Sequence, residues 1–320
     1  MIVTVTINPA IDRSAVLNKL IPEKKLRCSH PMTEAGGGGI NVARAIKVLG
    51  GDSLALFPAG GTNGKLLMHL LAAMHIRYEA IPIAAETREN FTVTELATNA
   101  QYRFVMPGGP LTKEEVEKCL SAIRNCYPIP QIIVASGSLP PGVPDDFYAC
   151  IARLAKKDGI KLIADTSGEP LQLAAREGVY LLKVNLTELC SLVNTTYLQR
   201  EEVGAAAKTV ISQGACEVLV VSMGPGGAML VTKNSCEHIP APEVKKQTTV
   251  GAGDSMVGGI TFMLAQGKPL HACVAFGVAC GSAATMNAGT HLFTKEDALN
   301  LYSAVDVAAN GAFSSLSCPG

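Results

Sequence analysis

The chain has 320 residues, 48% of them hydrophobic and 17% charged, and its 27 basic and 27 acidic side chains give a formal net charge of zero. This is the composition of a folded globular protein, and it excludes disordered and fibrous classes. It gives nucleic acid and membrane surfaces no electrostatic reason to bind and favours a small-molecule ligand.

The opening residues, MIVTVTINPAIDR, begin as a β-strand and lack the basic start and apolar core of a signal peptide. GGGGINVARAIKVLGG (36–51) is a Gly-rich loop running into a helix, SLALFP a strand, and NGKLLMHLLAAMHI (63–76) a second helix. NFTVTEL (90–96) and QYRFVMPG (101–108) alternate in period 2 around a polar turn, which predicts an antiparallel hairpin. A hairpin inside an α/β chain implies a small accessory sheet, with residues 12–33 as the source of its other strands. Helix resumes at TKEEVEKCL with a capping box from Thr112 to Glu115.

From about residue 130 strands and helices alternate. QIIVASG (131–137), IKLIAD (160–165), VYLLKVN (179–185), EVLVVSMG (217–224) and GAMLVT (227–232) read as strands. The segments 145–159, TELCSLV and 201–213 read as helices. This pattern predicts a mostly parallel sheet with helices on both faces, whose ligands bind beyond the carboxyl ends of the strands. SMVGGITFMLA (255–265) falls short of the ~20 apolar residues of a spanning helix. The residues AANGAFSSLSCPG form a loose C-terminal tail. The ten cysteines contain no C-x-x-C pair and no C-x-x-H neighbour, so reduced thiols of a cytoplasmic protein are expected, not a metal site or disulfide framework.

Chemistry concentrates in TTVGAGDSMVGG (248–259). Gly251, Ala252 and Gly253 precede an apolar helix whose unpaired N–H groups and dipole suit phosphate, and Asp254 shares the turn. A carboxylate there fits a base that takes a proton from an attacking hydroxyl. It fits a helix N-cap equally well, and these residues alone leave both readings open. Four glycines at 36–39 allow a ligand to approach the backbone, with Asn41 one turn into the helix to meet a hydroxyl. Neither the dinucleotide spacing G-x-G-x-x-G nor a Walker A motif is present. Lys25, Arg27, Arg88 and Arg103 place positive charge on the expected accessory sheet, either for phosphate recognition or as a solvated face.

Taken together these segments resemble the ribokinase-like (phosphofructokinase B) carbohydrate kinase family over almost the whole chain. The two signatures are GGGGINVARAIKVLGG and DSMVGG, and PEKKLRC, FPAGG, QYRFVMPG, SGSLPPGV and GSAATMNAGT are most similar to its minor 6-phosphofructokinase branch. The resemblance implies a doubly wound, mostly parallel sheet with a small β-sheet lid. The main domain then takes residues 1–11, 34–86 and 109–310, the lid takes 12–33 and 87–108, and the tail takes 311–320. It implies transfer of the γ-phosphoryl group of ATP to O1 of fructose 6-phosphate, with Mg²⁺, K⁺ and a homodimer through the lid. Kinases of tagatose 6-phosphate and fructose 1-phosphate share the scaffold, and a sugar-phosphate or nucleotide sensor is the non-enzymatic alternative.

Residue by residue, the resemblance makes Asp254 the base and the backbone of Gly251, Ala252 and Gly253 the anion hole. Asp12, Gly37, Gly38 and Asn41 hold the sugar hydroxyls, and Lys25, Arg88, Arg103 and Ser138 recognise the substrate's own phosphate and sugar. Lys183, Asn185, Ser222, Gly224, Gly227 and Ser282 contact the nucleotide. Asn185 and Glu188 form the N-x-x-E element that organises Mg²⁺ through water, while Thr248, Val250, Ala284, Asn287, Gly289 and His291 form the monovalent-cation loop. Val184 stands where the family usually has Pro, and His291 where close relatives have Arg.

Overall fold

The structure, a computed structural model, describes residues 1–287 and 292–312, with side chains as far as residue 305. At its centre lies β1 (Ile2–Val5), buried along its whole length as a strand between two helical layers must be. β1 pairs in parallel with β4 (Leu54–Ala59) on one side and β8 (Ile132–Ser136) on the other. Outside β4 lies β5 (Arg77–Pro82). Outside β8 lie β9 (Lys161–Asp165), β10 (Val179–Asn185) and β11 (Cys216–Ser222), again in parallel. β12 (Ala228–Thr232) and β13 (Cys236–Ile239) close that edge as an antiparallel hairpin. The strand order β13-β12-β11-β10-β9-β8-β1-β4-β5 reverses direction of growth at β1, so a crevice opens beyond the carboxyl ends of β1 and β8.

Alternate residues of β8 serve opposite layers. Ile132 and Val134 meet α1 (Gly38–Val48), α8 (Ala252–Ala265) and α9 (Leu270–Thr285). Ile133 and Ala135 meet the layer of α3 (Lys113–Arg124), α4 (Phe147–Lys157), α5 (Gly168–Glu177), α6 (Leu186–Leu192) and α7 (Val203–Ser212). α2 (Gly61–Ala73) covers β4 through Leu67 and Leu71. α10 (Lys295–Ala312) lies on α9, with Tyr302 edge-on to Phe276 at 5.2 Å between ring centres. No helix among the described residues is long and apolar enough to cross a membrane.

A second sheet has the order β3-β2-β6-β7, with β2 at Ala10–Leu17, β3 at Ser29–Gly36, β6 at Arg88–Glu95 and β7 at Ala100–Phe104. The β6–β7 hairpin is antiparallel as the alternation predicts, whereas β2 and β6 run in parallel. Its first two strands reach past 12–33 at both ends, to Ala10 and Gly36, because the ladder between them continues to the pair Ala10 and Gly36. The expected tail is also corrected: α10 runs to Ala312, and residues 313–320 lie outside the described residues.

Candidate active site

Gly251 starts α8 in the left-handed region at φ 72°, where any side chain would be strained. No side chain caps this helix, so its first N–H groups keep their capacity for an outside acceptor. Asp254 is the third helical residue and not the cap, which removes one of the two readings of that turn. Its carboxylate Oδ2 accepts a hydrogen bond of 2.9 Å from Asn41 Nδ2, across 213 positions of sequence.

Two cavities meet at this first turn. A cleft of about 560 Å³ is lined by Ser222, Gly224, Gly227, Ser282, Ala252 and Gly253, with Lys246 at its side. A pocket of about 170 Å³ is lined by Asp12, Gly37, Gly38, Asn41, Arg88, Arg103, Val250, Gly251 and Asp254. A third opening, about 640 Å³, continues past Arg88 to Asn8, Gly108 and Ser138. Most residues expected to form the site are therefore gathered here from β2, α1, β6, β7, β11, α8 and α9. Lys25 is not: it is exposed on the β2–β3 connection and lines none of these cavities.

The charges around Asp254 set its chemistry. Burial pushes its carboxyl up to about 6 and nearby Asp165 adds to the rise, while the Asn41 bond and Lys183 oppose it. Lys183 pairs with Asp165 at 3.1 Å, both side chains nearly buried. Burial works against the Lys183 charge, but Asp165 and Glu188 outweigh it and raise its pKa above the ordinary lysine value. A methyl group at Gly253 would come within 2.8 Å of Lys183 Nζ, so glycine there lets the ammonium approach the helix start. Lys183→Met strands Asp165, Glu188 and Asp254 beside an apolar side chain. It is expected to lower unfolding stability by about 3 kcal/mol, read from denaturant melts at neutral pH.

In the small pocket, Asp12 accepts from Asn90 Nδ2 at 2.8 Å. Burial raises its pKa, against that bond and the charges of Arg44 and Arg88. A methyl group at Gly36 would fall 2.1 Å from Asp12 Oδ2, so the carboxylate has its place only because residue 36 is glycine. Arg88 donates from one terminal nitrogen to Met106 O and from the other to Asn8 O. Its Nε is buried and meets no acceptor among the described residues, which leaves a donor for a ligand. Asn8 also donates to Ser138 Oγ at 3.1 Å.

Asn185 and Glu188 form a capping box at the start of α6: each backbone N–H donates to the other's side chain, at 2.8 and 2.9 Å. One oxygen of each is thus already engaged. Thr248 donates from Oγ1 to Gln101 Oε1 of β7 at 3.0 Å and accepts from Val250 N, tying the small sheet to the loop before α8. That loop lies against the end of α9, where Ala284 is buried and Asn287 donates to Leu292 O. Gly289 and His291 lie outside the described residues. Asn8, Arg44, Asn90 and Gln101 escape a reading of the sequence. Arg44 alone left a signal, standing three residues after Asn41 on the same helix face.

The family model for pfkB family carbohydrate kinases matches residues 2–297. An ATP-dependent 6-phosphofructokinase isozyme 2 of Mycobacterium tuberculosis is 45% identical over 296 residues, 92% of this chain and 87% of its own. Its Escherichia coli counterpart is 43% identical over 302 residues, 94% of this chain and 97% of its own. A tagatose-6-phosphate kinase of Staphylococcus epidermidis is 31% identical over 264 residues, 81% and 84% of the two chains. The crystal structure of Escherichia coli phosphofructokinase-2 in complex with potassium superposes with a TM-score of 0.90 and 43% identity, covering 95% of this chain and 99% of that one. The two-cavity site, the small sheet over it and these matches lead to one conclusion: the chain belongs to the pfkB family of carbohydrate kinases.

Proposed function

We propose that this protein is an ATP-dependent 6-phosphofructokinase, which transfers the γ-phosphoryl group of ATP to O1 of fructose 6-phosphate. The observation that carries the reading is the first turn of α8, which is a wall shared by a large cleft and a small, charged pocket. In this reading the nucleotide lies in the cleft, between the β11–β12 turn and α9. The sugar lies in the pocket, its hydroxyls on Asp12, Asn41 and the backbone at Gly37 and Gly38, its phosphate toward Arg88, Arg103 and Ser138. Asp254 takes the proton of the O1 hydroxyl as that oxygen attacks the γ-phosphorus in line, and ADP leaves with the displaced bridging oxygen. The N–H groups of Ala252 and Gly253 meet the charge on the transferring group, and the small sheet excludes water.

Mg²⁺ prefers one or two carboxylates with water and substrate phosphates to an all-protein cage. Glu188 and Asn185 suit that role, and among the described residues no cluster of three or more acidic, His or Cys ligands competes for it. When bound, the ion would supply charge neutralisation on the phosphates. K⁺ would be held by the loop of Thr248, Val250, Ala284 and Asn287. A homodimer through the small sheet would cover Met32, Phe104, Val105 and Met106, large apolar side chains exposed on its strands and rim. The cysteines, with no C-x-x-C pair among them, suit a reducing cytoplasm.

Fructose 6-phosphate is preferred to tagatose 6-phosphate because the relatives with 43–45% identity carry the 6-phosphofructokinase name and the tagatose kinase stands at 31%. Initial rates with MgATP and K⁺ at sub-saturating sugar test this directly. A kcat/KM for fructose 6-phosphate at least tenfold above that for tagatose 6-phosphate, fructose 1-phosphate or free fructose is expected. The reverse order would reassign the substrate, and no turnover of any would revive a sensor.

A further inference from the structure

Arg44 on α1 is 7% exposed and lies behind the residues that line the sugar pocket. One terminal nitrogen donates to Ala35 O at 2.8 Å and to Asn41 Oδ1 at 3.0 Å. The other donates to Glu34 Oε1 at 2.6 Å, in an ion pair whose side chains are 7% and 12% exposed. Glu34 and Ala35 belong to β3, so the guanidinium is anchored to the small sheet.

A carboxamide turned end for end fills the same space, and only its partners decide which way it points. A guanidinium has donors and no acceptor. Arg44 therefore accepts only one orientation of Asn41, with the oxygen toward itself and the NH₂ group toward Asp254. The reversed amide would set its NH₂ against Arg44 and its oxygen against the carboxylate of Asp254.

We propose that Arg44 is a positioning residue for phosphoryl transfer: it sets the polarity of the Asn41 amide, which in turn holds the Asp254 carboxylate in one rotamer facing the sugar pocket. This rests on Asp254 being the base. Besides Asn41 of α1, Asp254 feels Asp165 of β9, Lys183 of β10 and Asp12 of β2, and it shares its pocket with Arg88 of β6 and Arg103 of β7, while Arg44 of α1 reaches it through Asn41. The Asn41 bond is one of the two influences that favour its ionised form, so losing it moves the acid limb of the kcat–pH profile to higher pH.

The test compares full-length wild type with Arg44→Met, Arg44→Gln, Arg44→Lys, Asn41→Ala, the double variant N41A/R44M and Asp254→Asn. Arg44→Met is expected to lose roughly 10- to 100-fold in kcat, within the range of a disturbed base, with KM for ATP unchanged and the acid limb shifted upward. N41A/R44M is expected to be no slower than Asn41→Ala alone, since the two act in series. Arg44→Lys, still a pure donor, is expected to retain more kcat than Arg44→Gln, which can bond either end of the amide. That comparison decides the matter if Arg44→Met does not fold. Additive losses, equal kcat for Lys and Gln, or a rise in the sugar KM alone would each overturn the proposal. An Asp254→Asn enzyme with near-normal turnover would instead remove the base beneath it, whatever the Arg44 variants do.

Discussion

Asp254→Asn is expected to lower kcat by about 10³-fold or more, the scale of a lost general base, while the protein becomes more stable at neutral pH. The two effects share one cause. Burial pushes the carboxyl from its ordinary 3.8 up to about 6, with Asp165 adding to the rise. The base must be ionised to accept the O1 proton, so wild-type kcat should fall as pH drops through about 6. Holding that charge in the folded state opposes folding. A raised carboxyl favours the folded state only below the unfolded pKa of 3.8, and that benefit is lost as pH rises through the folded pKa of about 6. At pH 7 to 8 the ionised group therefore costs about 1 to 3 kcal/mol. Asparagine keeps the shape, can still accept from Asn41 and carries no charge. Its melting temperature should exceed that of wild type at pH 7.5, and the gain should vanish near pH 4. Turnover within tenfold of wild type would sink the assignment of the base, and a stability gain that persists unchanged at pH 4 would sink the burial argument.

What the sequence discloses and what it hides divide along physical lines. The parallel core is legible because its strands are short apolar runs ended by Gly, Asp or Asn, separated by amphipathic helices such as α4. α9 escapes because it is buried nearly all round, leaving no polar stripe to reveal a period of 3.6. β13 is only four residues long, and β5 begins with a charged residue at a sheet edge, so neither shows a clean alternation. Within the site, residues carried by a local pattern are readable: the Gly-rich turn before α8, the Gly-rich start of α1, arginines on a period-2 hairpin. Interactions between distant segments are not. The bonds Asn41 to Asp254, Lys183 to Asp165 and Thr248 to Gln101 span 213, 18 and 147 positions, and only the sheet order brings them together. The capping box of Asn185 and Glu188 is the opposite case. Its spacing is visible in the sequence, yet the same two residues also start α6, a local role that the expected metal role does not disclose.

Arg88→Met is expected to raise KM for fructose 6-phosphate by roughly 10- to 100-fold, the loss of one charged hydrogen bond or a little more, with KM for ATP unchanged. Arg88 lines both the small pocket and the adjoining opening, so a phosphate on the sugar has to pass its guanidinium. Its two terminal nitrogens are fixed by Met106 O and Asn8 O, which pre-organises the side chain, and buried Nε remains to donate. Burial lowers its pKa and Asp12 raises it, but a guanidinium stays charged at any working pH. Free fructose lacks the group that Arg88 would hold, so the variant should lose most of its preference for phosphorylated over free sugar. Arg103 lines the same pocket from β7 but is exposed, where water and salt weaken its attraction. Arg103→Met should therefore cost less, by about fivefold or more in KM, and its effect should shrink as ionic strength rises. Equal losses for the two variants would move the phosphate out to the mouth of the pocket, under the edge of the small sheet, and away from the junction of the two cavities.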